Sequence, residues 1–244
     1  MASADDRKSS GPATELHVLC AGAAKGLVEA LAVTLHEATG VTLRAEFGAV
    51  GAINERWMAG APCDVIILTQ AMLDALARDG RVVPETIAPL GRVRTGIAVR
   101  VGEPLPAIAD REELRRSLLT AAALYLPDPE RSTAGVHFVK VLRELGIHDA
   151  VAARLRAFPN GAMAMRELGQ SREPGLVGCT QITEINYTPG VALVGPLPTE
   201  FELVTVYSVA VATTARQPGA ARQLAHMLSG PESHELRCNG GFEF

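Results

Sequence analysis

The chain has 244 residues, 48% of them hydrophobic and 20% charged, and its 27 acidic and 23 basic side chains leave a net charge of -4. That composition can bury a large core, as one domain or as two smaller lobes. An acidic balance argues against nucleic acid or an anionic membrane surface as the main partner, because both want a basic face, and no apolar run has the length that spans a bilayer.

Residues 1–14 read as a disordered, polar leader without the apolar centre of a secretory signal. This predicts a cytoplasmic location for the chain as written, and a periplasmic one if a leader has been removed. The apolar run 16–20 predicts a first strand. It breaks at Gly22-Ala23-Ala24 and restarts as a helix in which Leu27, Leu31 and Leu35 recur every fourth residue until Gly40 stops it. A strand over 41–47 leads through Gly48-Ala49-Val50-Gly51 into a helix containing Ile53 and Trp57 that stops at Gly60. A strand over 64–68 is followed by a helix over 70–78. Strands alternating with helices in this way indicate a sheet with crossover helices.

The prolines at 84 and 89 interrupt that alternation and make 81–91 extended, and 92–101 then reads as one long strand crossing into a second unit. There the pattern resumes: a helix over 110–119, a strand over 123–126, a helix over 133–145 closed by Gly146, short helices over 149–155 and 162–168, and strands over 175–179 and 191–194. A second long strand over 203–213 returns to the first unit, and helices over 218–228 and 231–238 finish the chain. The predicted fold is α/β and two-lobed, each lobe a mixed, mainly parallel sheet flanked by helices, with two hinge crossovers. Lobe I is 15–91 plus 207–244 and lobe II is 92–206. Ligands of such sheets lie outside the carboxyl ends of the strands, so the strand-to-helix turns line the cleft. Each turn offers backbone N–H groups without an intrahelical partner, at the positive end of a helix dipole.

Cys20, Cys63, Cys179 and Cys238 show no CxxC spacing and read as buried thiols rather than a disulfide framework. The six histidines form no HExxH or Cys/His cluster, so no metal and no cofactor is expected. Serine-hydrolase, P-loop and dinucleotide signatures are absent.

Several stretches, in order, resemble the type II periplasmic solute-binding proteins of ABC transporters, in particular their molybdate-binding branch. They are Val18-Leu-Cys-Ala-Gly-Ala-Ala24, Phe47-Gly-Ala-Val-Gly51, Gly60-Ala-Pro-Cys-Asp-Val-Ile-Ile67, Asp128-Pro-Glu-Arg-Ser-Thr-Ala-Gly135, Leu142-Arg-Glu-Leu-Gly146 and Gly178-Cys-Thr-Gln-Ile-Thr-Glu-Ile185. The resemblance implies a small anion held between the lobes at Ala23, near Ala49 and Val50, at Thr133 with Ala134, at Ala162 and at Thr180. Gly22 and Ser132 belong to the same turns, and Gln181, beside Thr180 after a buried strand, offers donor and acceptor groups that can read a carboxylate. The resemblance also implies an ABC permease as partner and a monomeric state. The molybdate binders place serine hydroxyls in the first two turns, where this chain has only Gly, Ala and Val. Two missing donors weaken oxyanion binding by roughly two orders of magnitude. Lys25, Arg92 and Arg131 are the cations placed to replace them, and arginine's fork suits a carboxylate. The expected ligand is therefore an organic (poly)carboxylate, with molybdate as an alternative.

A catalytic alternative is isomerisation of a small unsaturated tricarboxylate, as in the aconitate isomerases of this fold. It requires a general base near the reacting carbon, and the candidates are His137 and Glu184. Cys20 and Cys179, near strand ends, have no His/Asp partner spacing to activate them.

Overall fold

The computed structural model describes residues 15–244, so the expected leader at 1–14 lies outside the described residues. In chain order the elements are β1 (Glu15–Ala21), α1 (Lys25–Thr39), β2 (Thr42–Gly48), α2 (Val50–Met58), β3 (Val65–Thr69), α3 (Gln70–Arg78), β4 (Ala88–Arg100), α4 (Arg111–Thr120), β5 (Ala123–Pro127), α5 (Thr133–Glu144), α6 (His148–Val151), β6 (Leu155–Phe158), α7 (Gly161–Gln170), β7 (Leu176–Gln181), α8 (Ile182–Asn186), β8 (Val191–Pro196), β9 (Val204–Val211), α9 (Pro218–Ser229) and α10 (His234–Gly240). Short 3-10 turns occur at Gly22–Ala24 and Pro84–Thr86, among others.

Nine strands form one hydrogen-bonded path, β2-β1-β3-β9-β4-β7-β5-β6, with β8 added beside β4. Pairing is parallel at β1–β2, β1–β3, β5–β6 and β5–β7, and antiparallel wherever β4 or β9 takes part. The long β4 explains the arrangement. Its first half, through Arg94, pairs with β9, and from Thr95 onward it pairs with β7 and β8. A strand of 13 residues thus belongs to two sheets.

The hydrophobic interior divides at the same place. One cluster gathers buried residues between Leu16 and Val93 together with Tyr207 to Phe242, and includes Leu19, Ile66, Leu73 and Val209. Another gathers Ile97 to Phe201, with Leu114, Leu126, Phe138 and Leu142 fully covered. Helix α1 shows how the sequence produces the first. Leu27 and Leu35 are buried, Leu31 packs against them half-covered, and Gly40 takes the left-handed conformation (φ 70°) that closes the helix, with its N–H bonded to the His36 carbonyl.

Two local expectations are corrected, and one helix was not foreseen. The segment predicted as a helix over 149–155 divides into α6, a 3-10 turn and the edge strand β6. Four residues are too few to show strand alternation, and what holds them is cross-strand packing: Phe158 stacks on Tyr125 with ring centroids 5.3 Å apart, and the Arg156 guanidinium lies over the same ring. Helix α8, five residues long, follows β7 directly and has no periodicity of its own to reveal it. Pro84 starts a 3-10 turn rather than extended chain, a position at which a missing N–H costs nothing.

Lobe I is tied together by one buried carboxylate. Asp64, 1% exposed, accepts from the backbone N–H of His17 (2.8 Å) and of Arg216 (2.6 Å), which joins the first strand to the segment that follows β9. Asp64→Ala strands these donors in the interior and is expected to destabilise the protein by about 3 kcal/mol. A lowered urea midpoint with an unchanged m-value is the expected reading.

Candidate functional site

Five strand-to-helix turns and one strand meet at the cleft. From lobe I, β1 delivers the turn Gly22–Ala24 and β2 delivers Ala49 at the start of α2. The residues before both helices, Ala24 and Ala49, make no side-chain cap, so these helix starts offer backbone N–H groups alone. From lobe II come the starts of α5 and α7, each capped by its own side chain: Ser132 accepts from the Gly135 N–H and Asn160 from the Met163 N–H. The end of β7 brings Gln181, and β9 brings Tyr207 between the two sides. Together they enclose a niche of only about 10 Å³, about one water in size.

Gln181 is 2% exposed, lines this niche, and among the described residues has no hydrogen-bond partner for either its amide nitrogen or its amide oxygen. A buried, unpaired carboxamide costs on the order of 1–3 kcal/mol. Tyr207, 2% exposed, has its phenol pushed well up by burial and by the nearby Glu184 charge, while Thr133 and Gln181 act on it in the opposite sense.

Glu184 occupies the most constrained place. Its carboxylate, on a residue 6% exposed, accepts the Thr180 hydroxyl and sits between the lobes. A Cβ on Gly22 would come within 2.4 Å of one carboxylate oxygen, and a Cβ on Gly161 within 2.0 Å of the other. Both approaches therefore require glycine. Burial raises the carboxyl above its ordinary value, although Thr180 and the backbone N–H groups of Ala162, Gln181 and Gly161 oppose the rise.

Beside the niche lies a pocket of about 520 Å³, and Gly22, Asn160 and Glu184 line both. The wall of this outer pocket combines Phe47, Met163 and Tyr187 with Lys25 and Arg166. Its size falls in the range of small-molecule sites.

Of the residues named from the sequence, Gly22, Ala23, Ala49, Val50, Ser132, Thr133 and Gln181 line the niche, Lys25 and Ala162 line the outer pocket, and Thr180 lies beneath, bonded to Glu184. The expected cations are placed otherwise. Lys25 pairs with Glu29 at 2.5 Å and lies over the Phe47 ring, at the rim rather than in the niche. Arg92 donates to the Phe244 carbonyl at 2.6 Å, and its backbone pairs with Glu243, so the C-terminal segment occupies it. The Asp128 carboxylate accepts from the N–H groups of Glu130 and Arg131, and the Arg131 side chain leaves this turn outward, 3.5 Å from Glu55.

His137 is likewise absent from both linings. Its ring nitrogen Nε2 lies 2.7 Å from the Phe201 carbonyl, a packing contact inside lobe II. Cys20 and Cys179 are fully covered and their thiols are pushed up by burial, which suppresses thiolate chemistry; all four cysteines are free, and Cys238 is exposed rather than buried. Tyr207 and Arg166 carry no signal in the sequence, since one reads as core of a long strand and the other as the solvent face of a helix. Asn160-Gly161, at the start of α7, is a turn dipeptide by residue type.

The family model described as bacterial extracellular solute-binding protein matches residues 16–243. An aconitate isomerase from a Pseudomonas species is 29% identical over 95% of this chain and 88% of its own length. The molybdate-binding protein ModA of Escherichia coli is 22% identical over 93% of this chain and 88% of its own. Among solved structures, the periplasmic molybdate-binding protein of Azotobacter vinelandii superposes with a TM-score of 0.75 at 17% identity, covering 94% of this chain and 99% of that one, a likeness of fold.

The raised Glu184 carboxyl has a consequence for stability. Above the ordinary glutamate value of 4.5 the unfolded chain gives up this proton before the folded one does, so stability falls as pH rises until the folded group has ionised too. Glu184→Gln removes that loss. In urea titrations from pH 4 to pH 8, the variant is expected to gain on the parent as pH rises, and parallel curves would refute the assignment.

Proposed function

Since the chain belongs to the bacterial extracellular solute-binding protein family, we propose that it captures a small organic polycarboxylate in the cleft and presents it, lobes closed, to an ABC permease outside the cytoplasm. The two units, 15–91 with 207–244 and 92–206, move as rigid lobes about the crossovers in β4 and β9. The unpaired Gln181 carboxamide carries this reading. It faces a niche walled by two uncapped helix starts, and an anionic oxygen there satisfies the amide nitrogen and the free backbone N–H groups together.

Two features favour an organic acid over a tetrahedral metal oxyanion. The first two turns lack hydroxyls. The adjoining pocket of about 520 Å³ has apolar walls for a carbon skeleton and, in Arg166, a cation for a second carboxylate, while Lys25 on the same wall is paired with Glu29. A ligand with one carboxylate in the niche and its body in the pocket uses both spaces.

A second reading rests on Glu184, a shielded carboxylate with a raised proton affinity at the junction of the two spaces, where a general base for an allylic proton belongs. The likeness to an aconitate isomerase supports it. The same fold then catalyses migration of a double bond, with Glu184 taking the proton from one carbon and returning it to the other.

Thermal denaturation distinguishes the ligand classes. Citrate or trans-aconitate at about a hundred times its Kd is expected to raise Tm by about 5 °C or more, and molybdate and sulfate by little. Strong stabilisation by molybdate with no carboxylate effect overturns the organic-acid reading. Following the cis/trans ratio of aconitate during incubation separates the two functions: a constant ratio supports capture alone, and a ratio that moves toward equilibrium and stays fixed with Glu184→Gln supports the isomerase.

A further inference from the structure

Glu184 poses an electrostatic problem for any anion that enters the niche. The same residue lines the niche and the outer pocket, and its carboxylate is held against Gly22 on one side and Gly161 on the other. An entering carboxylate therefore comes to rest beside the Glu184 carboxylate.

Every charged or titratable group packed around Glu184 leaves this repulsion uncompensated. On α1, Lys25 is neutralised by Glu29 at 2.5 Å. On α7, Arg166 lies on the outer pocket with its side chain 56% exposed, 3.7 Å from Glu167. On β9, Tyr207 is a neutral phenol, and on β1 and β7, Cys20 and Cys179 are neutral thiols. Tyr187, at the end of α8, is also neutral. The remaining stabilisation comes from dipoles: the Thr180 hydroxyl and the N–H groups at the start of α7. Two carboxylates in one buried site do not both stay ionised, and they share a proton instead.

We propose that the cleft takes up its anion together with one proton, held between the Glu184 carboxylate and an oxygen of the ligand, and that this requirement selects against oxyanions that carry no proton. The inference rests on the anion-capture reading above and adds to it the protonation state of the captured species. The proton stays within a single hydrogen bond, on whichever oxygen is more basic, so no bond of the ligand breaks. The raised proton affinity of Glu184 before any ligand arrives is in keeping with a group ready to hold that proton.

Isothermal titration calorimetry of the full chain with trans-aconitate, in buffers of different ionisation enthalpy at pH 6.5 to 8.5, tests this. Over that range the free ligand is already ionised. The expected result is uptake of about one proton per ligand and an affinity that falls about tenfold for each unit of rising pH. In Glu184→Gln the proton uptake and the pH dependence are expected to vanish, and sulfate, which carries no proton over this range, is expected to bind the variant at least tenfold more tightly than the parent. Tight, pH-independent binding of trans-aconitate to the parent without proton uptake overturns the proposal and leaves anion capture intact. Failure of both trans-aconitate and sulfate to bind parent and variant alike overturns anion capture as well. If the variant does not fold, the proton count on the parent decides by itself.

Discussion

The structure turns on a negative side chain placed where the fold gathers positive backbone dipoles. Every strand-to-helix turn at this cleft presents N–H groups, yet the protein spends one such helix start, that of α7, on its own Glu184 carboxylate. Two glycines on opposite lobes exist in the form they do because of it: Gly22 and Gly161 each leave room for one carboxylate oxygen. What remains for a ligand is the opposite half of the niche, where the starts of α1 and α2 lack side-chain caps and Gln181 has no partner. The site is thus divided into an internally satisfied half and an open half.

Contacts outside the niche also join the two units, among them the Asn186 amide, which donates to the Gly240 carbonyl at 3.3 Å. The Gly51 N–H donates to the Arg131 carbonyl at 3.1 Å, and the Arg131 side chain lies 3.5 Å from Glu55. Both members of that ion pair are more than half exposed, so it contributes about 1 kcal/mol at most. The ring of Tyr187 sits so close to Gly26 and Gly240 that neither tolerates a side chain, and its hydroxyl donates to the Leu236 carbonyl at 3.3 Å. The two sheets share β4 alone, and each side of it keeps its own hydrophobic core.

The fold was largely legible in the sequence because its elements announce themselves through local chemistry. Gly40, Gly60 and Gly146 take positive φ at helix ends, as their positions suggested, and Leu27 and Leu35 form the buried stripe of α1. The turns that line the niche were legible for the same reason, since a strand followed by small residues and a helix fixes where N–H groups point. Long side chains were not. Lys25, Arg92 and Arg131 lie near the cleft in sequence, but each finds a nearer partner: Glu29, the C-terminal carbonyl of Phe244, and Glu55. His137 stands one helical turn beyond Thr133 and turns instead to Phe201. Tyr207 was hidden because a residue inside a long apolar strand gives no sign of which neighbours it meets. Tertiary packing decides such placements, and periodicity does not encode it.

The most direct test of the central claim is a crystal structure of the protein grown with trans-aconitate. The account predicts a carboxylate about 3 Å from the Gln181 amide nitrogen and from N–H groups of the turns at Gly22–Ala24 and Ala49–Val50, its carbon chain in the outer pocket, and an oxygen sharing a proton with Glu184. A ligand held only by Lys25 and Arg166 at the rim, with Gln181 still unpaired, would contradict it.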